Sequence, residues 1–348
     1  MIYIDGSHGE GGGQILRNSV ALSVLFNREI NVSNIRANRP NKGIKPQHYT
    51  AIKIIKSISN AKTNGLDIGS SNLSFSPLKI KEGSYEFDIG TAGSIVLVFQ
   101  ACILAFLNSD KTISLTLKGG TDVKWAPSWD YFEKVFLPLI KKMGISINSK
   151  LLKRGYYPKG GGKASITIYP CNKIKPLSID ERQYFKDIEG IINISNLPEH
   201  IASRMKHSAI KKIIENNYKA SIKIDSNDSL SSGTGITLWS KSKDTIIGKT
   251  IIGERGISAE KIGYKVAESI IEEIQSKASI DINMIDQIIP YMFLSENDKP
   301  SQCSIKNLSG HAKTNIWLLN QFINSEKNIE ILYDQNLTFI KVNGINLL

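Results

Sequence analysis

The sequence predicts a mixed α/β fold in which a βαβα-type unit is used repeatedly, with a separate α/β domain inserted before the last unit. In three places glycine and small polar residues directly precede an apolar, helix-like run. These places are Gly9 to Leu25, Gly90 to Leu107 and Ser309 to Phe322. Strand-like segments and a further helical pattern separate the first two, and such recurrence of one local design indicates repeated structural units.

The elements follow in order along the chain. The first unit opens with the strand-like MIYIDG, and its second helix is predicted at Gln47 to Ser59, with strands near Leu66 and at Leu73 to Phe75. After the second unit, the pattern predicts an amphipathic helix and a hairpin closed by the turn PKGGGK. These elements are Trp129 to Met143, and strands near Ser149 to Tyr157 and Ala164 to Tyr169.

The segment 180–277 carries its own alternation of strands and helices and is predicted to form the smaller inserted α/β domain. The repeat-built body then comprises residues 1–179 and 278–348. The predicted elements of the insertion are strands at Gly190 to Ile194, Ala220 to Ile224, Gly235 to Trp239 and Thr245 to Ile252, and helices at His200 to Asn216 and Ser258 to Ser276.

The charge balance favours an acidic partner. The chain has 44 Lys and Arg against 32 Asp and Glu, a formal charge of +12. Such an excess suits RNA or another polyanion, although charge alone does not separate an RNA enzyme from an enzyme for small acidic metabolites.

The cysteines and the apolar runs indicate a cytoplasmic protein. Cys102, Cys171 and Cys303 stand far apart without a CxxC pair, so neither a zinc site nor a disulfide framework is predicted. The longest apolar stretch, Ile95 to Leu107, is too short to span a bilayer and contains Gln100. No membrane partner is predicted, and the sequence predicts no oligomeric state.

Two glycine- and arginine-bearing loops are candidates for phosphate binding. IYIDGSHGEGGGQILR places five glycines between a strand and a helix, where backbone N–H groups can approach an anion. Glu10 within it is typical of a Mg²⁺ ligand, the alternative being a structural turn with a solvated glutamate. Arg36 and Arg39 lie in a second loop, and arginines there suit bidentate phosphate contacts or a solvated basic surface.

Aromatic residues and a histidine mark two further candidates. Trp125, Pro127, Trp129 and Tyr131 gather at a predicted helix start, where they are suited to base stacking or to core packing. His311, in SGHAKTN, follows a glycine at the start of a helix, so its imidazole would face an anion bound there. A structural role for this histidine remains open on the residues alone.

Taken together, these segments resemble the RNA 3′-terminal phosphate cyclase family. The shared blocks recur in order and cover nearly the whole chain. They are DGSHGEGGGQILR, RANRP, the pair Gln47-His48, GTAGS with Gln100, GGTDV, WAPS, RGYYPKGGG, LPEHIASRM, the pair Asp286-Gln287 and HAKTN.

The resemblance implies a fold of three tandem βαβαββ repeats, similar to the C-terminal domain of translation initiation factor three, with the small domain inserted before the last repeat. It also implies an ATP-dependent ligase that converts an RNA 3′-phosphate to a 2′,3′-cyclic phosphate. In that family a histidine attacks ATP and carries AMP, and the AMP then passes to the RNA end as RNA(3′)pp(5′)A.

The resemblance assigns roles residue by residue. His311 matches the nucleophile, and Glu10 matches a carboxylate associated with Mg²⁺ or Mn²⁺. The positions that match phosphate and RNA contacts are Arg17, Arg36, Arg39 and Gln47, and those that match the ATP pocket are Gln100, Pro127, Tyr131, Asn283, Met284, Ile285, Asp286 and Gln287. Asn283 stands where the family often has an aromatic residue or histidine, so one wall of the adenine site differs here.

Two other classes compete with the cyclase interpretation. A catalytically silent cyclase-like protein of ribosome assembly would share the fold, but such relatives lack the nucleophile that His311 matches. An enolpyruvyl transferase also uses repeated βαβαββ units and a basic cleft, but it would give His311 no task.

Overall fold

The computed structural model describes residues 1–179, 184–323, 328–334 and 336–347. Within these ranges the chain is a mixed α/β protein with four small sheets, which confirms the predicted α/β class. The predicted domain boundary at residue 180 lies outside the described residues, as does the terminal residue 348.

The first sheet contains one parallel and two antiparallel strand pairs in the order β1-β2-β4-β3, and two helices cover it. The second helix begins with Pro46, whose fixed φ suits a first turn, and ends at Asn60 in the left-handed region. The strand that was predicted near Leu66 ends at Asn64, just before that residue. The elements are β1 (Ile2–Asp5), α1 (Gly13–Leu25), β2 (Ile30–Ser33), α2 (Pro46–Ser59), β3 (Lys62–Asn64) and β4 (Leu73–Ser76).

The second sheet has the same pattern of strand directions, in the order β5-β6-β8-β7. The predicted helix over residues 129–143 is interrupted by a π-helical turn at Phe132–Phe136. Pro138 lies two residues after this turn, and because its ring would clash with a preceding carbonyl, the widened turn accommodates it. The elements are β5 (Gly83–Asp88), α3 (Ile95–Ala105), β6 (Ile113–Gly119), α4 (Trp129–Tyr131), α5 (Leu137–Lys142), β7 (Ile147–Lys153) and β8 (Gly162–Ile168).

The segment that is predicted to be an insertion, called the inserted segment below, forms a third sheet, in the order β10-β9-β11-β12. Two helices pack on one face and enclose an apolar core made only of residues from this segment. On the other side, Trp239 and Ile246 join the main core of the protein. The elements are β9 (Asp187–Ser195), α6 (Glu199–Glu215), β10 (Lys219–Asn227), β11 (Gly233–Lys241), β12 (Ile246–Ile252) and α7 (Ala259–Gln275).

The remaining elements form an antiparallel sheet, ordered β13-β15-β14, and two helices that contact each other. No helix among the described residues has the length and apolarity needed to cross a membrane. The elements are α8 (Ile285–Leu294), β13 (Ser301–Ile305), α9 (Gly310–Ile323), β14 (Ile329–Tyr333) and β15 (Thr338–Val342).

A buried charge network joins the inserted segment to the body. The Arg154 guanidinium, 4% exposed, is 3.1 Å from Asp122, 2.9 Å from Asp130 and 2.7 Å from Asp225 of β10. Burial lowers the pKa of Arg154, but Asp122 and Asp130 outweigh it and raise that pKa overall. Asp122 and Asp130 belong to the body and also accept from Asn193 of β9, each at 3.3 Å, so the two parts meet at this network.

Candidate active site

The three glycine- and small-residue-led helix starts found in the sequence converge on one cavity of about 860 Å³. The cavity is lined by the beginnings of α1, α3 and α9 and by the loop that contains Arg36 and Arg39. Helix N-termini present unpaired N–H groups and a partial positive charge, so the cavity is suited to phosphate groups.

His311 occupies the first turn of α9, where the Ser309 hydroxyl accepts a hydrogen bond from the Ala312 N–H at 3.0 Å. The histidine side chain is 46% exposed, and its Nε2 lies 3.3 Å from Glu10 Oε2. Arg39 Nη2 donates to the same carboxylate oxygen at 3.2 Å. The imidazole is therefore accessible and is held between a carboxylate and the cavity.

Two glycines make these close approaches possible. A Cβ on Gly13 would lie 2.0 Å from Nε2 of the buried His48, and a Cβ on Gly310 would lie 2.5 Å from Glu10 Oε1. Because the His48 ring is buried, the start of α1 can meet it only at glycine, whereas a side chain at position 310 would displace the flexible Glu10 carboxylate from its place beside His311.

One wall of the cavity is strongly cationic. Arg17 is 9% exposed, and burial, with a contribution from the Arg36 charge, lowers its pKa to about 10, so it stays protonated at neutral pH. Arg36 has a left-handed φ of 57°, a strained backbone for a residue with a side chain. Its guanidinium donates to the Asn41 carbonyl, and Gln47 nearby accepts from the Ser94 N–H at 3.4 Å.

The opposite wall combines amides, a phenol and a carboxyl group. Gln100 Nε2 donates to Gln287 Oε1 at 2.6 Å, and the Tyr131 hydroxyl donates to buried Asp281 at 2.9 Å. Burial raises the pKa of Asp286 to about 7, with smaller contributions from Asp281 and Glu10. This wall offers hydrogen-bonding groups and apolar surface together, as a nucleobase pocket requires.

The structure brings most of the predicted site residues to this cavity and sets two apart. Met284 and Ile285 are fully buried in the core and do not line the cavity. The predicted site residues that do line the cavity are Glu10, Arg17, Arg36, Arg39, Gln47, Gln100, Pro127, Tyr131, Asn283, Asp286, Gln287 and His311.

The aromatic cluster divides between core and surface. Trp129 is buried and packs against Phe99 and Phe132, which follows the core-packing alternative. Trp125 lines the rim of the cavity and is 96% exposed.

Comparison with known proteins identifies the family of the chain. Residues 8–329 match the family described as RNA 3′-terminal phosphate cyclase. The chain belongs to this family. Among its relatives named RNA 3′-terminal phosphate cyclase, that of Methanococcoides burtonii is 44% identical over 95% of this chain and 97% of its own length. The relative from Methanosarcina acetivorans is 42% identical over the same shares, and that from Pyrococcus furiosus is 39% identical over 92% and 93%.

Several residues in or beside the cavity of this cyclase-family chain were not predicted from the sequence. Asn18 and Asn315 are 297 positions apart, yet Asn18 donates to Asn315 at 2.8 Å and ties α1 to α9 beside His311. Thr250 reaches the cavity from β12 of the inserted segment. Asp281 lies behind Tyr131. Asn315 lies within the HAKTN block and Asp281 lies two residues before Asn283, but no local pattern gave either residue a role at the site.

Proposed function

We propose that this chain is an RNA 3′-phosphate cyclase that uses ATP to convert an RNA 3′-phosphate into a 2′,3′-cyclic phosphate. The observation that carries the proposal is an exposed imidazole, His311, 3.3 Å from Glu10 in a cavity lined by Arg17, Arg36 and Arg39. The family membership and the printed names of the relatives support the same activity.

The first step loads AMP onto the protein. A His311 ring nitrogen attacks the α-phosphorus of ATP, a P–N bond forms, and the bond from that phosphorus to the pyrophosphate oxygen breaks. The attacking nitrogen must carry a lone pair, so the histidine acts in its neutral form. The half-exposed imidazole lines the cavity with its Nε2 beside Glu10, which supports this nitrogen as the nucleophile.

The RNA end then takes over the nucleotide. An oxygen of the 3′-phosphate attacks the AMP phosphorus, the P–N bond breaks, and RNA(3′)pp(5′)A forms. The neighbouring 2′-hydroxyl next attacks the RNA 3′-phosphorus, its proton is released to solvent, and AMP leaves. A phosphate monoester has no good leaving group for this cyclisation, and AMP supplies one.

The two walls suit the two substrates. Arg17, Arg36, Arg39 and Gln47 form the phosphate- and RNA-binding wall, where guanidinium groups neutralise the transferring phosphates. Gln100, Pro127, Tyr131 and the segment from Asn283 to Gln287 form the adenine-binding wall. Within that segment Met284 and Ile285 lie in the core and do not line the cavity.

Glu10 is suited to a divalent cation. Mg²⁺ in proteins commonly takes one or two carboxylates and completes its coordination with substrate phosphates. Glu10 is a half-exposed carboxylate at the phosphate end of the cavity, and the described residues contain no group of three or more His, Cys, Asp or Glu that would hold an ion without substrate. Bound there, Mg²⁺ or Mn²⁺ would neutralise charge on the reacting phosphates.

We also propose that the body consists of three tandem βαβαββ repeats and that residues 180–277 form a domain inserted before the third. The matching strand orders of the first two sheets and the separate apolar core of the inserted segment support this division. ATP and RNA as substrates suit a cytoplasmic enzyme.

Incubation of the protein with ATP and a 3′-phosphorylated oligoribonucleotide tests the proposal. We expect an RNA end whose phosphate resists phosphatase until mild acid opens the cyclic phosphate. One AMP and one pyrophosphate should be released per end. A catalytically silent ribosome-assembly protein, the alternative, would leave the phosphate sensitive to phosphatase.

A further inference from the structure

Asp281 connects three parts of the chain at the back of the proposed adenine pocket. Its carboxylate is fully buried and accepts from the Tyr131 hydroxyl at 2.9 Å and 3.0 Å. It also accepts from the backbone N–H of Gly248, on β12 of the inserted segment, at 3.1 Å. A buried carboxylate needs such donors, so the pairing of Tyr131 with β12 depends on this residue.

The same carboxylate holds the segment that enters α8. Asp281 Oδ1 accepts from the N–H of Asn283 at 3.0 Å and of Met284 at 3.1 Å, next to the helix start at Ile285. Gln287 then donates to the Asn283 carbonyl and accepts from Gln100, both at 2.6 Å. Asp281 therefore fixes Tyr131 and the backbone leading to Gln287 relative to each other.

The inserted segment touches this region through three successive residues of β12. Gly248 contacts Asp281, Lys249 donates to Asn283 Oδ1 at 3.0 Å, and the Thr250 hydroxyl lies 3.1 Å from Ser128 Oγ. Ser128 in turn caps the helix of Tyr131, since its Oγ accepts from the Tyr131 N–H. Thr250 also lines the cavity itself.

There is no room between β12 and the tyrosine ring. A Cβ on Gly248 would lie 3.1 Å from Tyr131 Cε2 and 2.6 Å from Val135 Cγ2. The strand thus packs directly against the ring that the proposed pocket uses, and a displacement of the strand would move that ring.

We propose that β12 of the inserted segment is a structural wall of the nucleotide site, with Asp281 as the positioning residue that couples it to Tyr131 and to the Asn283–Gln287 segment. The inference rests on the proposed function, because it concerns the ATP site of that reaction. The inserted segment thereby supports ATP capture, whereas the arginine wall that takes the RNA phosphate has no contact with Asp281.

A double-mutant cycle on Asp281→Asn and Tyr131→Phe tests this coupling through the KM for ATP in self-adenylylation. Tyr131→Phe removes only the hydroxyl group that donates a hydrogen bond to Asp281. Both substitutions nearly preserve the size of the side chain. Each single variant should raise the KM for ATP about tenfold, the value of one or two buried hydrogen bonds. The double variant should be no worse than the poorer single variant.

Lys241→Ala is the matched control, since it removes an exposed ion pair with Glu189 on the neighbouring strand of the same segment. It should leave the KM for ATP unchanged, and binding of a 3′-phosphorylated RNA to the ATP-free protein should be the same in all variants. Additive effects of the two substitutions, an unchanged KM in Asp281→Asn, or an equal rise in Lys241→Ala would overturn the proposal. Absence of adenylylation in the unmodified protein would instead refute the proposed function.

Discussion

Glu10 Oε2 lies 3.3 Å from His311 Nε2 and 3.2 Å from Arg39 Nη2, so one carboxylate oxygen contacts both the proposed nucleophile and an arginine. The two partners come from opposite ends of the chain. Nε2 can attack a phosphorus only through a free lone pair, so it must carry no proton in that step. The arrangement therefore links ATP chemistry at His311 to the charge state around Glu10.

Glu10→Gln should lower the rate of self-adenylylation by roughly 10- to 100-fold, because it removes a negative charge where the cation and the phosphates meet. Side-chain size is kept, so the close contact with Gly310 remains. Single-turnover labelling at increasing Mg²⁺ measures the effect. Glu86→Gln, which breaks only an exposed ion pair with Lys163, is the control and should behave as the unmodified protein. Equal rates in the two variants would exclude a role for the Glu10 charge.

Arg36→Ala and Arg39→Ala should differ in the step that they impair. Arg36 contacts neither Glu10 nor His311, so its loss should slow transfer of AMP to RNA more than loading of AMP from ATP. Arg39 is paired with Glu10, so its loss should slow both steps. Separate measurement of self-adenylylation and of RNA turnover distinguishes the two. An Arg36→Ala variant that loses both activities equally would place this arginine in the ATP site.

Folding stability should fall in acid through His48. Burial, with the nearby Arg17, Arg36 and Lys45 charges, lowers its pKa from 6.5 to about 3, so the unfolded chain binds a proton between those values that the folded protein refuses. The contribution is complete above pH 6.5 and is lost as the pH falls toward 3. His48→Gln should remove about 2 to 3 kcal/mol of the loss between pH 7 and 4.5, measured by urea unfolding.

Asp281 and Asp286 act in the opposite direction, because burial raises their pKa values to about 6 and about 7. Folded protein therefore gains protons there as the pH falls, and its stability rises. The His48→Gln variant and the unmodified protein both contain Asp281 and Asp286. The difference between their stability curves therefore reports on His48 alone. Parallel stability curves for His48→Gln and the unmodified protein would contradict the assignment.

Arg154→Met should destabilise the protein by about 3–5 kcal/mol, because it leaves the carboxylates of Asp122 and Asp130 buried without their cation. Asp225→Asn removes the third ion pair from a carboxylate that is 44% exposed and should cost less than about 1 kcal/mol. Urea unfolding at neutral pH measures both. Similar, small losses in the two variants would mean that the buried carboxylates of Asp122 and Asp130 do not depend on the Arg154 cation.

The sequence indicated the cavity through local signals. A glycine or small polar residue before an apolar run is a strong pattern, and the three helix starts it marked converge in the structure. Ordered motif blocks then supplied the family and most of the cavity residues. Both kinds of signal lie within a few consecutive residues, so a single sequence is enough to detect them.

Contacts between residues that are far apart in the sequence could not be predicted from local patterns. Asp281 stands two residues before the predicted pocket segment, but only its contacts with Tyr131 and Gly248 show that it lies behind the pocket. Met284 and Ile285 adjoin pocket residues along the chain, but helical geometry turns them into the core. Thr250 illustrates the same limit, since no pattern within the inserted segment shows which of its strands meets the body.

The identity of the AMP-carrying residue is the most direct test of the account. Protein incubated with ATP labelled at the α-phosphate and then denatured should retain label that mild acid removes and alkali does not, as a P–N bond requires. His311→Asn should fold normally, because the side chain is half-exposed, and should acquire no label. It should still close a chemically prepared RNA(3′)pp(5′)A end, since that step needs no new histidine adduct. Label on the His311→Asn protein would place the nucleophile elsewhere and contradict the central claim.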